Sequence, residues 1–364
     1  MLDLEIMRST QAEIDLSNLK KNISYLRSIV GKEVEILAIV KANAYGHGSI
    51  TMTKALIEND IKSFGVATLE EARELLDSGI SCNILILGSI ENDEIKEALS
   101  RKIVFTVYDL KQLEFLLTLD ETNIPFHLKI DTGMNRLGIS IKEISHSIDL
   151  IRSNNKLKLE GIYTHFPEAD KINSDFTLNQ IDNFNKIIKE YKENIENVKY
   201  FHAANSSGII NYPDSHFNMV RPGILMYGLG DSGKQHLLPV MKLKTKIIKI
   251  RDVNKNESVS YGRDFVAEKN MNIGVIPIGY ADGLPRAVSN IGFVRYGDIK
   301  CKIIGRVCMD LTMIDLSEIK EPKVGDEIII FDDSYTANDL SSSIGTIPYE
   351  IVCGISKRVK RSYL

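Results

Sequence analysis

The strongest constraint on the fold is a repeated alternation. Between residues 35 and 225 eight short apolar runs are separated by longer segments with helical spacing. The runs are EILAIV (35–40), SFGVAT (63–68), NILILG (83–88), IVFTV (103–107), FHLKI (126–130), EGIYTHF (160–166), KYFHAA (199–204) and NMVRPGIL (218–225). In the intervening segments, such as TLEEARELLDSG and FTLNQIDNFNKIIKEYKENI, apolar residues recur every three or four positions, as one buried helix face requires. TLEE supplies an N-cap with an acidic first turn, and the glycine after LLDS supplies a C-cap. Strands joined through helices must pair in parallel. Eight such units in about 200 residues predict an α/β fold, a TIM-type (β/α)8 barrel. An open doubly wound sheet is the alternative, weakened by the absence of GxGxxG after the first strand.

The pattern changes after residue 236. VMKLKTKIIKIRDV, NIGVIPIG, GFVRYG, KCKIIGRV, LTMIDL and DEIIIFDD are β-rich runs separated by turn residues. The expected organisation is therefore a barrel over 13–235 and a mostly antiparallel β domain over 236–364. A strand from residues 1–12, within the run at 2–7, is a candidate to join that second sheet. The chain has 364 residues, more than one core usually serves. A net charge of −4 argues against a dedicated nucleic-acid or anionic-membrane binder. No stretch approaches the 18 to 20 or so apolar residues that span a bilayer, and the acidic, interrupted N-terminus does not read as a signal peptide. The four cysteines lack CxxC or CxxH spacing, so no metal site is expected. A cytoplasmic location is expected.

Side chains at the C-terminal ends of barrel strands converge on one mouth. The first strand there ends in Lys41, the fifth runs into Lys129, Asp131 and Arg136, the sixth ends in His165, the seventh in Asn205 and Ser206, and the eighth in Arg221. Lys41 either leaves the barrel for solvent or sits at the floor of an apolar mouth, where desolvation lowers its pKa and lets it form a Schiff base. The loops HAANSSG and RPGI are either ordinary turns or a phosphate site after strands 7 and 8. A Schiff-base lysine facing a phosphate site suggests pyridoxal 5'-phosphate. Arg221 in that mouth would donate to a pyridine nitrogen without handing over its proton. The ring would then be a weak electron sink, which favours removal and return of a single α-proton.

AIVKANAYGHG, HLKIDTGMNRLG, YTHF, AANSSG, MVRPGI, SYGRDF, GYADGLPR, GRVCMD and PYEI, in this order, resemble the motif series of the bacterial alanine racemases. These are pyridoxal-phosphate enzymes with a barrel and a β domain. The resemblance implies that Lys41 holds the cofactor and is the base facing the D-alanine α-hydrogen, and that Tyr261 is the opposite base. It implies that Arg221 meets the pyridine nitrogen and that Arg136 lies near the phenolic oxygen and substrate carboxylate. Tyr45, Ser206, Ile224 with the Gly223 backbone, and Tyr349 match the phosphate set, and His165 the residue linking Arg221 to Tyr261. Met309 matches a carboxylate contact through its backbone N–H, and Tyr280 lines the entrance. Tyr261, Tyr280 and Met309 come from the neighbouring subunit in the family, which implies a homodimer with shared sites. The implied reaction interconverts L- and D-alanine and supplies D-alanine for peptidoglycan.

Racemisation needs proton removal on one face and delivery on the other. A free tyrosine, with a pKa near 10, is a poor base at neutral pH, so that position needs help from the His165–Arg221 pair. Lys129 shares strand parity with His127 and Asp131 and should point inward. Some relatives carry a carbamylated lysine there; an unmodified lysine paired with Asp131 is the other reading. Pro167 and Leu311 stand where the family usually has alanine and often glutamine, and the chain is slightly short for the family. Three alternatives compete: a metal-dependent barrel hydrolase, which lacks its His-x-His pair here; a non-catalytic cofactor carrier; and a related decarboxylase. Tyr349 beside the substrate favours alanine's methyl group over a hydroxymethyl.

Overall fold

A computed structural model describes residues 9–230 and 237–364. The strand expected within 2–7, the boundary at 235/236 and His236 lie outside the described residues. The eight apolar runs form β2 (Glu35–Ile39), β3 (Ser63–Val66), β4 (Asn83–Ile86), β5 (Val104–Val107), β6 (Ile124–Lys129), β7 (Leu157–Tyr163), β8 (Tyr200–His202) and β9 (Met219–Val220), after a first strand β1 (Gln11–Ile14). Parallel ladders run from β9 through β2 to β8 in sequence order, giving a nearly closed barrel. The last strand is shorter than its apolar run. Pro222 has no N–H to continue a ladder, and the chain turns there into a short 3-10 segment over Ile224–Tyr227.

The connecting helices start and stop where the capping chemistry lies. Thr68 accepts from the Glu71 N–H ahead of the helix Leu69–Asp77, and Gly79 follows it at φ +83°. Ser174 caps the helix Asp175–Asn194, which buries Ile181, Phe184, Ile188 and Tyr191 along one face.

The later part of the chain is built from β10 (Met241–Lys246), β11 (Lys249–Val253), β12 (Ser258–Val259), β13 (Phe265–Val266), β14 (Met271–Ile276), β15 (Phe293–Tyr296), β16 (Ile299–Lys302), β17 (Thr312–Asp315), β18 (Glu327–Phe331) and β19 (Lys360–Tyr363). Six strands form a sheet in the order β16-β15-β18-β10-β1-β19. All its pairs are antiparallel except β1 with β19. β11, β14 and β17 form a second antiparallel sheet, and β12 pairs with β13. Two seven-residue helices, Ala337–Ser343 and Pro348–Gly354, interrupt the strands.

The segment after β2 is the least ordinary piece of backbone. Ala42, Asn43, Ala44 and Tyr45 all lie between φ +51° and +55°, one left-handed turn of four non-glycine residues. Each such residue costs about 1 kcal/mol or more, so neighbours must hold the turn. Glu71 accepts from the Ala42 N–H (2.7 Å) with one carboxylate oxygen and from the Ala67 N–H (2.7 Å) with the other. The Asn43 amide oxygen accepts from the Ser49 N–H (2.9 Å). Gly46 then packs against the helix Pro348–Gly354: a Cβ there would fall 2.0 Å from the Val352 carbonyl oxygen. Arg361 donates to the Gly46 carbonyl (3.0 Å). Backbone cannot yield as a side-chain tip can, so Gly46→Ala should cost roughly 2 kcal/mol or more. Urea unfolding would register this as a lower midpoint; an unchanged midpoint would contradict the packing described.

Candidate active site

The C-terminal ends of the barrel strands surround a cavity of about 420 Å³. Lys41, Tyr45, Lys129, Arg136, His165, Ser206, Arg221, Gly223 and Tyr349, nine of the residues expected from the sequence, line it together. Ile224 follows Gly223 and is itself buried. Four cationic side chains face this space, and among the described residues no aspartate or glutamate lines it. Such a cavity favours a ligand that carries several negative charges.

Arg221 is the best-fixed of the four. It is buried at 4% exposure. Its Nη2 donates to the Thr164 (2.7 Å) and Ala203 (2.8 Å) carbonyls and lies 3.2 Å from His165 Nδ1. Its Nη1 lies 2.9 Å from His202 Nδ1. Burial lowers its pKa to about 10, well above neutrality, so it stays a cation. The Tyr163 ring lies beneath it, 5.2 Å from ring centroid to guanidinium carbon, and stacks on His202. Tyr163 donates to Thr106, which donates onward to the Ile86 carbonyl. Burial pushes the Tyr163 phenol up to about 12, so it remains neutral.

The two lysines are electrostatically uncomfortable. Burial first, and then Arg136, lowers the pKa of Lys41. Lys129 is 4% exposed; burial, then Arg136 and Arg221, lowers it to about 8. Its pairing with Asp131 does not form. The Asp131 carboxylate instead accepts from the Gly133 (2.8 Å) and Asn135 (3.1 Å) N–H groups. His165 is held well below the ordinary histidine range by burial, with Arg221 the next cause, and is neutral. With Nδ1 accepting from Arg221, its proton resides on Nε2.

On the opposite wall, Ser206 Oγ accepts from the Gly223 N–H (2.9 Å), which leaves its own hydrogen to point elsewhere. A Cβ at Gly223 would lie 2.5 Å from the Tyr45 hydroxyl, so only glycine admits that phenol. Tyr349 packs on Tyr45 with ring centroids 5.8 Å apart. Burial raises both phenols, Tyr349 to about 12. Among the described residues, neither hydroxyl has a hydrogen-bond partner.

The remaining three expected residues lie elsewhere within one chain. Tyr261 and Met309 line a cleft of about 1040 Å³ in the β-rich part, and Tyr280 lines a third of about 500 Å³. They are 70%, 53% and 45% exposed, unusual for large apolar side chains. The expected link from His165 to Tyr261 is therefore not made within a single chain. Sequence reading also missed Glu71, Tyr163, His127 and His202. Strand parity with His165 in EGIYTHF carried a signal for Tyr163; Glu71 stood in an ordinary N-terminal helix turn and carried none.

Comparison with known proteins covers nearly the whole chain. The family model "Alanine racemase, N-terminal domain" matches residues 14–231, and "Alanine racemase, C-terminal domain" matches 240–363. The alanine racemase of Methanococcus maripaludis is 39% identical, over 97% of this chain and 98% of that one. The solved alanine racemase of Clostridium difficile superposes with a TM-score of 0.91 at 34% identity, over 98% of this chain and 96% of that one. That of Bartonella henselae, described with covalently bound pyridoxal phosphate, gives 0.90 at 28% identity, over 98% and 99%.

Proposed function

The chain belongs to the alanine racemase family, an isomerase family, and from that premise we propose that it interconverts L- and D-alanine with pyridoxal 5'-phosphate in the barrel cavity. The observation that carries this reading is the cavity with four cations and, among the described residues, no carboxylate, with a lysine of lowered pKa at its floor. The residues present fit that cofactor. Lys41 is the covalent anchor, and Arg221 retains donors for the ring nitrogen. Tyr45, Ser206, Tyr349 and the Gly223–Ile224 backbone offer hydroxyl and N–H groups to a phosphate. Bound there, pyridoxal phosphate supplies an electron-withdrawing ring conjugated to the substrate, which acidifies the α-C–H bond.

The chain's own residues do the proton chemistry. Lys41 Nζ, its ammonium form disfavoured by burial and Arg136, takes the α-proton of D-alanine. Tyr261 Oη serves the opposite face. Arg221, which keeps its charge and its protons, would donate to the ring nitrogen and leave it uncharged, which would make the ring a weaker electron sink and disfavour side reactions. Arg136 orients the substrate carboxylate. Because Tyr261, Met309 and Tyr280 are exposed and outside the barrel cavity, a second copy of the chain is the source of these groups at each site. Met309 gives its backbone N–H to the carboxylate, and Tyr280 narrows the entrance. The protein acts as a cytoplasmic homodimer, and its product serves peptidoglycan synthesis. Tyr349 leaves room for a methyl side chain, which favours alanine over serine.

Lys129 is proposed to be carbamylated. A pKa near 8 leaves roughly a tenth of the amine neutral at pH 7, against a negligible fraction for a free lysine. The neutral nitrogen attacks carbon dioxide, a C–N bond forms as one C=O π bond opens, and the nitrogen loses a proton to solvent. The product is an anion that relieves repulsion from Arg136. Protein equilibrated with ¹³C-bicarbonate near neutral pH should show a carbamate ¹³C signal that is absent in Lys129→Gln; a wild-type spectrum without it would refute the modification.

For the reaction itself, Lys41→Ala should lose covalent cofactor and turnover in both directions. Tyr261→Phe should abolish L-to-D turnover, by at least about a hundredfold, while keeping the bound cofactor's visible absorbance. An unchanged cofactor spectrum in Lys41→Ala, or loss of cofactor in Tyr261→Phe, would count against these roles.

A further inference from the structure

We infer that His202 and His127 are positioning residues for Arg221: a column of two neutral, tautomer-locked rings behind the guanidinium that fixes which of its N–H groups face the cavity. The inference deepens the proposed function and rests on it for the identity of what Arg221 meets. Its structural core does not.

The argument starts from the donors. A guanidinium has five N–H groups and no acceptor. Arg221 Nη1 lies 2.9 Å from His202 Nδ1, so Nδ1 must accept and carries no hydrogen. A neutral His202 then holds its proton on Nε2, which lies 2.8 Å from His127 Nδ1. That nitrogen must accept in turn, and the His127 proton resides on Nε2. The direction of every bond in the column follows from the one group that cannot reverse. Charging either ring would set two donors against each other. Both rings are buried, and desolvation with Arg221 close by keeps them neutral, His127 to about 3.

The barrel is shaped for this column. His127 pairs in register with Gly161, and Tyr163 with His202. A Cβ at residue 161 would lie 2.6 Å from His127 Nδ1 and Cε1, so the missing side chain makes room for the ring. Tyr163 stacks flat on His202, at 4.7 Å between centroids and 10° between planes. His127 lines a different cavity, of about 290 Å³, alongside Ser63, Asn83 and Glu160. The column therefore joins that cavity to the one around Arg221.

The consequence falls on Arg221. The two hydrogens of Nη2 are shared among Thr164, Ala203 and His165, and one hydrogen of Nη1 goes to His202. The Nε–H and the second Nη1–H are left for the cavity. If His202 moved its proton to Nδ1, it would present a donor to Arg221 and the guanidinium would turn. His127 reinforces the tautomer that Arg221 selects, because it accepts the His202 Nε2 hydrogen; without it that buried N–H would have no partner, a cost that favours moving the proton to Nδ1. It thus acts on the site from two hydrogen bonds away.

Two variants separate this role from simple packing. In His127→Asn the Oδ1 atom replaces Nδ1 as acceptor; in His127→Leu no acceptor remains. ¹⁵N-labelled histidine spectra of the cofactor-free and cofactor-loaded protein read the tautomers directly. Wild type and His127→Asn should show His202 protonated on Nε2 alone. His127→Leu should show His202 with Nδ1 protonated in part, and the dissociation constant for pyridoxal phosphate should rise about tenfold, against less than about twofold in His127→Asn. A wild-type His202 that carries a proton on Nδ1 would overturn the inference, as would a His127→Leu protein with wild-type tautomers and affinity. Should His127→Leu not fold, the wild-type and His127→Asn spectra still decide the tautomers. If wild type fails to bind pyridoxal phosphate, the proposed cofactor falls while the tautomer result in the cofactor-free protein stands.

Discussion

The left-handed turn at Ala42–Tyr45 is the constraint on which the site depends. Four non-glycine residues wound against their preferred hand store several kcal/mol by order of magnitude, and the chain keeps them there only because separate parts of it grip the turn. Glu71 holds its first N–H, Asn43 closes it onto the next helix, and the C-terminal Arg361 and Val352 pin Gly46. Lys41 begins this turn and Tyr45 ends it. The proposed anchoring lysine and a phenol of the proposed phosphate wall are thus set by one local geometry. Tyr349 and Cys353 reach the same cavity because the helix that carries them packs against Gly46.

Charge is distributed to match. The chain as a whole is mildly acidic, at −4, yet its barrel mouth is strongly cationic and its acids are turned outward or onto backbone N–H groups. Glu71 and Asp131 are the clearest cases: each lies close to the mouth, and each spends its carboxylate on amides rather than on a lysine. That leaves Lys41, Lys129, Arg136 and Arg221 without a carboxylate in direct ion-pair contact among the described residues. A ligand carrying phosphate and carboxylate supplies what the protein withholds.

Much of this was legible in the sequence. The eight strands follow the apolar runs, and the polar residues in or shortly after the C-terminal part of four of them identified Lys41, His165, Ser206 and Arg221, because strand ends in a barrel share one mouth. What escaped was anything set by register between distant strands. His127 meets His202 across 75 positions, and the β6/β7 pairing carries a register shift just at His127 that parity alone does not foretell. Glu71 looked like a helix-capping acid and is one only incidentally. Spacing also gives no distance between Tyr261 and Lys41; the structure puts them at different clefts of one chain. The exposure of Tyr261, shared with Met309 and Leu311, makes an apolar surface of the kind that the proposed second copy would cover.

The central claim is that Lys41 of one chain works with Tyr261 of another. The most direct test mixes Lys41→Ala chains with Tyr261→Phe chains, unfolds and refolds them together, and measures racemisation. In a shared-site dimer each mixed pair regains one site with both native residues. Half the dimers are mixed, so activity should return to about a quarter of wild type. If both residues acted within one chain, no site would hold the native pair, and the mixture would remain as inactive as its parents.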